Sequence, residues 1–172
     1  MSQNFGPDNA SLTIRTGRTG GAAKAGHDLV IEVESWQATL DPGAQPALTL
    51  KADSRSLRVL QGTGGIKSLT ESDKTDIKKT IDKEVLKGCD IEFRSSDVTE
   101  TPGGLSVRGE LSLNGKQAPV TFDLALGEGG GVHGSAQVTQ SAFGMKPYSA
   151  LFGALKVADE VMIEFSATLP AA

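Results

Sequence analysis

The stretch GLSVRGELSLNGKQAPVTFDLAL (residues 104–126) decides the fold. Apolar and polar residues alternate on both sides of Asn114-Gly115, a dipeptide typical of tight β-turns. Before the turn, one phase holds Leu105, Val107, Leu111 and Leu113; after it, one phase holds Val120, Phe122, Leu124 and Leu126. The stretch therefore predicts a β-hairpin with one apolar face and one polar face.

The same period of two recurs along the chain and predicts eight strands in all. Between Leu29 and Leu40 the apolar phase changes near Ser35, which predicts one long strand bent by a β-bulge. Glycine-rich turns at residues 101–104 and 127–131 join four strands into a meander from about residue 89 to 140. We therefore predict an all-β fold, an eight-stranded antiparallel barrel, because closure removes exposed sheet edges.

One segment, ESDKTDIKKTIDKEVLKG (residues 71–88), departs from this period. Ile77, Ile81 and Val85 recur every fourth residue, which predicts an amphipathic helix from about Ser72 to Leu86. Ser72 or Asp73 can cap its start. We expect this inserted helix to pack outside the barrel or across one end through its apolar stripe.

Length and composition predict one domain over residues 1–172, with residues 1–9 as a loose N-terminal tail. The net charge is −4, and no basic patch carries interleaved aromatic residues, so nucleic acid is not an expected partner. No run approaches the ~18 apolar residues of a membrane span. The N-terminal residues lack a basic and then apolar leader, and Cys89 is the single cysteine; both features favour the cytoplasm.

Chemistry-bearing residues are sparse. His27 and His133 are far apart in sequence, and Cys89 is isolated, so we expect no metal and no cofactor. The segment QGTGGIKSLT (residues 61–70) lacks the glycine before lysine that a phosphate-binding loop requires and is interpreted as a flexible loop. No G-x-S-x-G elbow occurs, and Glu32 and Glu34 fit a solvated strand face. The sequence predicts no catalytic residue, and the protein is not expected to be an enzyme.

Four segments in order resemble the YceI-like, polyisoprenoid-binding family. They are GHDL opening a long strand, LSLNGKQAPVTFDLAL, QSAFGMKP and LKVADEVMIEFSATL. The matching steps are Leu113-Asn114-Gly115, Pro119–Phe122, Phe143-Gly144-Met145 and Val157–Ile163. The resemblance runs from about Leu12 to Leu169. It implies a lipocalin-like eight-stranded barrel with an inserted helix and a central apolar cavity for a long isoprenoid or fatty chain.

The polar positions of the strands must reach water, so the apolar phase points inward. We therefore expect a cavity lined by Ile31, Val33, Trp36, Phe93, Val107, Leu111, Phe122, Leu124, Val138, Ile163 and Phe165. Small residues in the same phase favour an internal tunnel; they are Gly109, Gly134, Ala136 and Ala167. The expected rim consists of His27, Phe143, Tyr148 and Phe152.

Three functions remain open at this point. The leading hypothesis is a binding protein for an apolar lipid or isoprenoid chain. The alternatives are a packed structural or interaction barrel without ligand and, more weakly, an enzyme acting on a lipid-like substrate; a homodimer is also left open. For His27 we expect a hydrogen-bonding role that orders the barrel end, with a polar ligand contact at the cavity mouth as the alternative.

Overall fold

The computed structural model describes residues 1–150 and 153–169. The strands are β1 (Gln3–Phe5), β2 (Ala10–Arg15), β3 (Arg18–Thr19), β4 (His27–Val33), β5 (Trp36–Asp41), β6 (Ala47–Asp53), β7 (Leu57–Gly64), β8 (Asp90–Thr101), β9 (Gly104–Leu113), β10 (Lys116–Leu126), β11 (Gly131–Thr139), β12 (Ser149–Ala150), β13 (Leu155–Val157) and β14 (Glu160–Thr168). The α-helix α1 (Glu71–Thr80) continues into a π-helical segment, Ile81–Leu86. Short 3₁₀ turns lie at Ala23–Ala25, Glu128–Gly130 and Gln140–Phe143.

The long strands form one antiparallel sheet in the order β1-β5-β6-β8-β9-β10-β11-β14-β2-β4-β7. β5 lies near one edge of this sheet and β4 near the other, yet only Glu34 and Ser35 separate them in the chain. The two edges must therefore come close together in space. The sheet therefore curls around an interior. The predicted all-β antiparallel class with one inserted helix is confirmed, but the count of eight strands is wrong. The described residues contain 14 strands, because the predicted strand over residues 29–40 is divided into β4 and β5, and the sequence did not predict β1, β3, β7, β12 and β13.

The connection from β4 to β5 and the connection from β6 to β7 bend at the same place. The Ser56 carbonyl accepts a hydrogen bond from the Glu34 N–H (2.8 Å), and the Ser35 carbonyl accepts one from the Asp53 N–H (2.9 Å). The Ser35 N–H also donates to Ser56 Oγ at 3.0 Å. These bonds hold the two turns together, so Val33 and Trp36 are both buried although they differ in phase. The predicted phase change is confirmed, but it divides β4 from β5; the bulge in this segment lies at Val30/Ile31.

The prediction of a loose tail over residues 1–9 is wrong for its central part. Strand β1 pairs with β5, with Phe5 opposite Ala38. The Phe5 side chain is buried and meets the ring of Phe165 edge to face at 5.4 Å. The segment before the first predicted strand is ordered because this one aromatic side chain belongs to the core.

The hairpin predicted at Asn114-Gly115 is confirmed. Both residues have positive φ, 56° and 70°, which the tightest hairpin turns require. On the outer surface, Arg58 contacts Glu32 at 2.8 Å and Glu34 at 3.0 Å. The hydrogen bond from Arg58 to Glu32 raises the pKa of the guanidinium. The two glutamates therefore lie on the polar face of the sheet, as predicted.

The inserted helix is confirmed, with a different start. Thr70 is the N-cap: its side chain accepts a hydrogen bond from the Asp73 N–H, and the Asp73 carboxylate accepts one from the Thr70 N–H. This reciprocal capping box stabilises the first turn, so Asp73 supports the cap instead of forming it. At the other end, Lys87 adopts the left-handed conformation with φ 53° and ends the helical segment.

The curled sheet has two unlike ends. Loops 6–9, 41–46, 101–104 and 127–131 lie at one end, where Gly104 faces Ala125 and Val132 faces Ala167; we call this the packed end. Loops 16–26, 64–70, 114–115 and 140–148 lie at the other end, where Leu113 faces Lys116 and His27 faces Gly64; we call this the mouth end.

Candidate ligand cavity

The sheet and the helix enclose a cavity of about 600 Å³. Apolar residues of ten long strands form its wall, and Ile77, Ile81, Val85 and Leu86 of the helical segment cover one side. The predicted packing of the Ile77, Ile81 and Val85 stripe against the β structure is thus confirmed, and the stripe is half-buried because it faces the cavity. A volume of this size lies within the range of about 300–1,000 Å³ typical of small-molecule sites.

The cavity extends toward the mouth end. Its lining there includes Arg18, Gly26, His27, Met145, Tyr148 and Leu155. None of the residues in the four packed-end loops, all of which the structure describes, lines it. The cavity is therefore blind at the packed end.

Nine of the eleven predicted lining residues face the cavity: Ile31, Val33, Phe93, Leu111, Phe122, Leu124, Val138, Ile163 and Phe165. Sequence reasoning did not include several further lining residues, such as Leu12, Ile14, Leu48, Leu50, Leu57 and Val161. Most of these share the inward phase of their strands, so the alternation itself carried the signal. The helical part of the wall carried a different signal, the recurrence of apolar residues every fourth position.

Trp36 and Val107 do not line the cavity, and the prediction is wrong for both. The Trp36 ring packs edge to face against Phe165, with centroids 6.0 Å apart, and is 5% exposed. Val107 is 0% exposed and lies between its sheet partners Val98 and Phe122. Both side chains point inward as predicted, but neighbouring side chains fill the space around them.

Two of the four expected rim residues border the cavity. His27 and Tyr148 line the cavity at the mouth end, and Tyr148 is 40% exposed. Phe143 is not a rim residue: it is 2% exposed, and its carbonyl accepts a hydrogen bond from Asn114 Nδ2 at 3.2 Å. Its aromatic ring belongs to the core beneath the 113–116 hairpin. Phe152 lies outside the described residues.

The small residues in the inward phase have different roles. Ala136 lines the cavity wall. A side chain at Gly109 would meet the Phe93 ring at 2.6 Å, and one at Gly134 would meet Leu124 at the same distance. Ala167 is buried away from the cavity. Of the four residues expected to leave space, Gly109 and Gly134 instead make room for a neighbouring side chain, and only Ala136 borders open volume without such a neighbour.

A polar network orders the mouth. His27 Nε2 lies 2.7 Å from the Lys67 carbonyl oxygen, and since a carbonyl can only accept, Nε2 carries the proton. Arg18 donates to the Gly26 carbonyl and lies 3.4 Å from Asp28. The expected ordering role of His27 therefore has a partner, the 64–70 loop, and the same imidazole also borders the cavity.

Few charged groups face the interior, and the described residues offer little other chemistry. Among them, no three His, Cys, Asp or Glu side chains lie close enough together to hold a metal ion. Cys89 is half-buried and does not line the cavity. The pKa of Asp73, near the start of α1, is lowered chiefly by its hydrogen bond from the Thr70 backbone. The arrangement can enclose an apolar chain and contact a polar group at its mouth.

Comparison with known proteins identifies the fold and the family. The YceI-like domain matches residues 66–169, more than half of the chain, and the protein belongs to this family. The crystal structure of Burkholderia cenocepacia BcnA is similar, with a TM-score of 0.65 at 16% identity, covering 94% of this chain and 96% of that one.

Two further structures share the fold at low identity. A polyisoprenoid binding domain from Saccharophagus degradans, implicated in plant cell wall breakdown, has a TM-score of 0.52 at 7% identity and covers 98% of both chains. A Campylobacter jejuni YCEI protein has a TM-score of 0.50 at 14% identity and covers 82% of this chain and 85% of its own. No curated protein gave a significant match. In the described residues, no helix has the length and apolar character needed to cross a membrane.

Proposed function

We propose that this protein binds one long apolar chain, a polyisoprenoid or a fatty-acid-like lipid, in its interior. The observation that carries the proposal is the blind cavity of about 600 Å³, walled almost wholly by aliphatic and aromatic side chains. Each buried methylene of a linear ligand contributes about 0.8 kcal/mol. A long chain can therefore bind tightly without a specific polar contact. The Saccharophagus degradans protein, which shares this fold, is a polyisoprenoid binding domain.

The orientation of the ligand follows from the two ends. The packed end offers no opening among the described residues, whereas Tyr148 and His27 border the cavity at the mouth. We propose that the chain enters tail first and leaves its polar group near these two side chains. The hydroxyl of Tyr148 and the backbone of the mouth loops can hydrogen-bond that group without a fixed charge.

We propose binding without chemical turnover. The imidazole Nε2 of His27 already faces the Lys67 carbonyl, and the Cys89 thiol does not border the cavity. These are the two residues that an enzyme acting on a lipid-like substrate could use here. The packed-barrel alternative is disfavoured by the open volume beside Ala136, Phe122 and Ile163.

Replacing Ala136 with Phe tests the proposal. The new ring enters the cavity, so the affinity for a fluorescent long-chain fatty acid should fall by more than about tenfold, which corresponds to ~1.4 kcal/mol, while the protein stays folded. Ala125→Phe is the matched control, because Ala125 is exposed on the outer face of β10. The proposal fails if the folded Ala136→Phe variant binds the probe as tightly as the parent.

A further inference from the structure

Charge is distributed unequally between the two ends of the sheet. The loops at the mouth end, together with residues 153–159 beside them, carry one carboxylate, Asp159. Three further carboxylates lie next to these loops: Asp28 beside Arg18, Asp73 near Lys67, and Asp76 on the cavity wall. The same segments, with Lys116 just after the 114–115 turn, hold five lysines: Lys24, Lys67, Lys116, Lys146 and Lys156. Among the described residues, none of the five lysines forms an ion pair.

The packed end has the opposite character. Its loops, counted with Glu100 beside them, carry Asp8, Asp41, Glu100 and Glu128 and no lysine or arginine. The chain as a whole has a net charge of −4. A basic mouth on an acidic protein orients the molecule in front of an anionic surface, with the cavity opening toward that surface.

An exposed apolar tip lies within the basic end. Ile66 is 85% exposed and follows Gly64 and Gly65, which have positive φ of 81° and 75°. This tip is joined to the cavity: Lys67, the next residue, accepts the hydrogen bond of His27, and His27 lines the cavity wall. Tyr148, also 40% exposed, borders the same opening.

We infer that the mouth end docks on the surface of an anionic phospholipid bilayer. Ile66 and Tyr148 enter the interface, and the five mouth lysines contact lipid phosphates. Docking in this orientation places the cavity opening against the lipid, so a chain passes between bilayer and protein without crossing water. The purpose of docking rests on the proposed lipid binding, but the contact with the bilayer does not depend on a bound ligand.

Vesicle co-sedimentation tests the inference. We expect the protein to bind vesicles of phosphatidylglycerol mixed with phosphatidylcholine, more weakly as salt is raised, and not vesicles of phosphatidylcholine alone. Ile66→Glu should weaken binding about tenfold or more. Leu126→Glu, at a 50% exposed apolar residue near the packed end, is the matched control and should bind as the parent does.

Lysine variants test the electrostatic part. Each lysine near an anionic surface changes affinity roughly fivefold, so Lys67→Gln combined with Lys146→Gln should weaken binding about 25-fold. Lys51→Gln combined with Arg94→Gln removes the same charge from the outer wall and should change binding little. The inference is overturned if the parent does not bind anionic vesicles, or if the mouth variants and their controls bind alike.

Native mass spectrometry of the same variants separates this inference from the proposed function. Ile66→Glu protein that keeps its lipid but leaves the vesicles supports both. Parent protein that carries lipid yet ignores anionic vesicles overturns the docking alone. Parent protein that binds the vesicles as expected but never holds a lipid leaves docking supported and contradicts the proposed function.

Discussion

The two ends of the curled sheet are made of the same kind of strand but have different interiors. Near the packed end, Val107 is 0% exposed and lies between its sheet partners Val98 and Phe122. Toward the mouth, Val120 on the adjacent strand has the same side chain and faces open volume. The difference shows that inward phase decides burial, whereas the size and direction of facing side chains decide whether the interior is filled.

The largest loss of stability should come from placing a charge in the filled interior, compared with the same charge on the cavity wall. Val107→Asp puts a carboxylate among side chains that cannot solvate it and should cost about 3–5 kcal/mol, enough to unfold a marginal domain. Ile81→Asp puts the same charge on the half-buried helical wall and should cost about 1–3 kcal/mol, because water still reaches part of the side chain. Urea denaturation of both variants measures the difference. Equal losses would contradict the distinction between filled and open interior.

Shortening a valine to alanine should give a smaller difference in stability between the filled interior and the cavity wall. Val107→Ala removes two methyl groups from a filled region and should cost about 2 kcal/mol. Val120→Ala removes the same groups beside the cavity and should cost ~1 kcal/mol or less, because those groups already lacked contacts on one side. The measurement is the free energy of unfolding of each variant, made on ligand-free protein. A Val120→Ala loss as large as that of Val107→Ala would mean that the cavity collapses in solution.

At the mouth, His27→Ala should lower stability modestly. The hydrogen bond to the Lys67 carbonyl is partly exposed to water, so its loss should cost about 0.5–1.5 kcal/mol and loosen the 64–70 loop. Amide hydrogen exchange in that loop is the measurement. Unchanged stability and exchange with abolished lipid binding would instead assign His27 to ligand contact.

The smallest effect should appear as acid sensitivity of the helix start. The pKa of Asp73 is lowered in the folded protein by the Thr70 backbone hydrogen bond. The stabilisation that the ionised Asp73 carboxylate gives to the folded state is therefore complete above the unfolded pKa of about 3.9. It is lost as the pH falls through the lower folded value. Hydrogen exchange of the first turn of α1 should rise in that range, and Asp73→Asn should remove the pH dependence. Glu84→Gln, farther along the same segment, should leave it intact.

The sequence predicted the fold where local and tertiary signals agree. The hairpin around Asn114-Gly115 follows from turn chemistry and from two clean alternating runs. Strand β7 was missed because Leu57 and Val59 alternate with Arg58 only briefly before Leu60 and the glycines. Strand β1 was missed because it has one buried residue, Phe5, whose partners Ala38 and Phe165 are far away in sequence.

The site was predictable in part for a related reason. Alternation identifies which side chains point inward, and nine of the eleven predicted residues do line the cavity. It cannot predict that the Trp36 ring packs against Phe165, or that the Phe93 ring fills the space over Gly109. Those contacts are set by the curvature of the sheet. The basic mouth likewise becomes visible only when distant loops are brought to one end.

The most direct test of lipid binding is the lipid content of the protein itself. The intact mass of protein purified without detergent is measured by native mass spectrometry. The same protein is then extracted with organic solvent, and the lipids in the extract are identified. We predict a bound species heavier than the bare chain that releases one long apolar lipid, and the same preparation of Ala136→Phe should lack it. Folded parent protein whose mass is that of the bare chain, and which takes up neither an isoprenoid alcohol nor a long-chain fatty acid, would contradict the account.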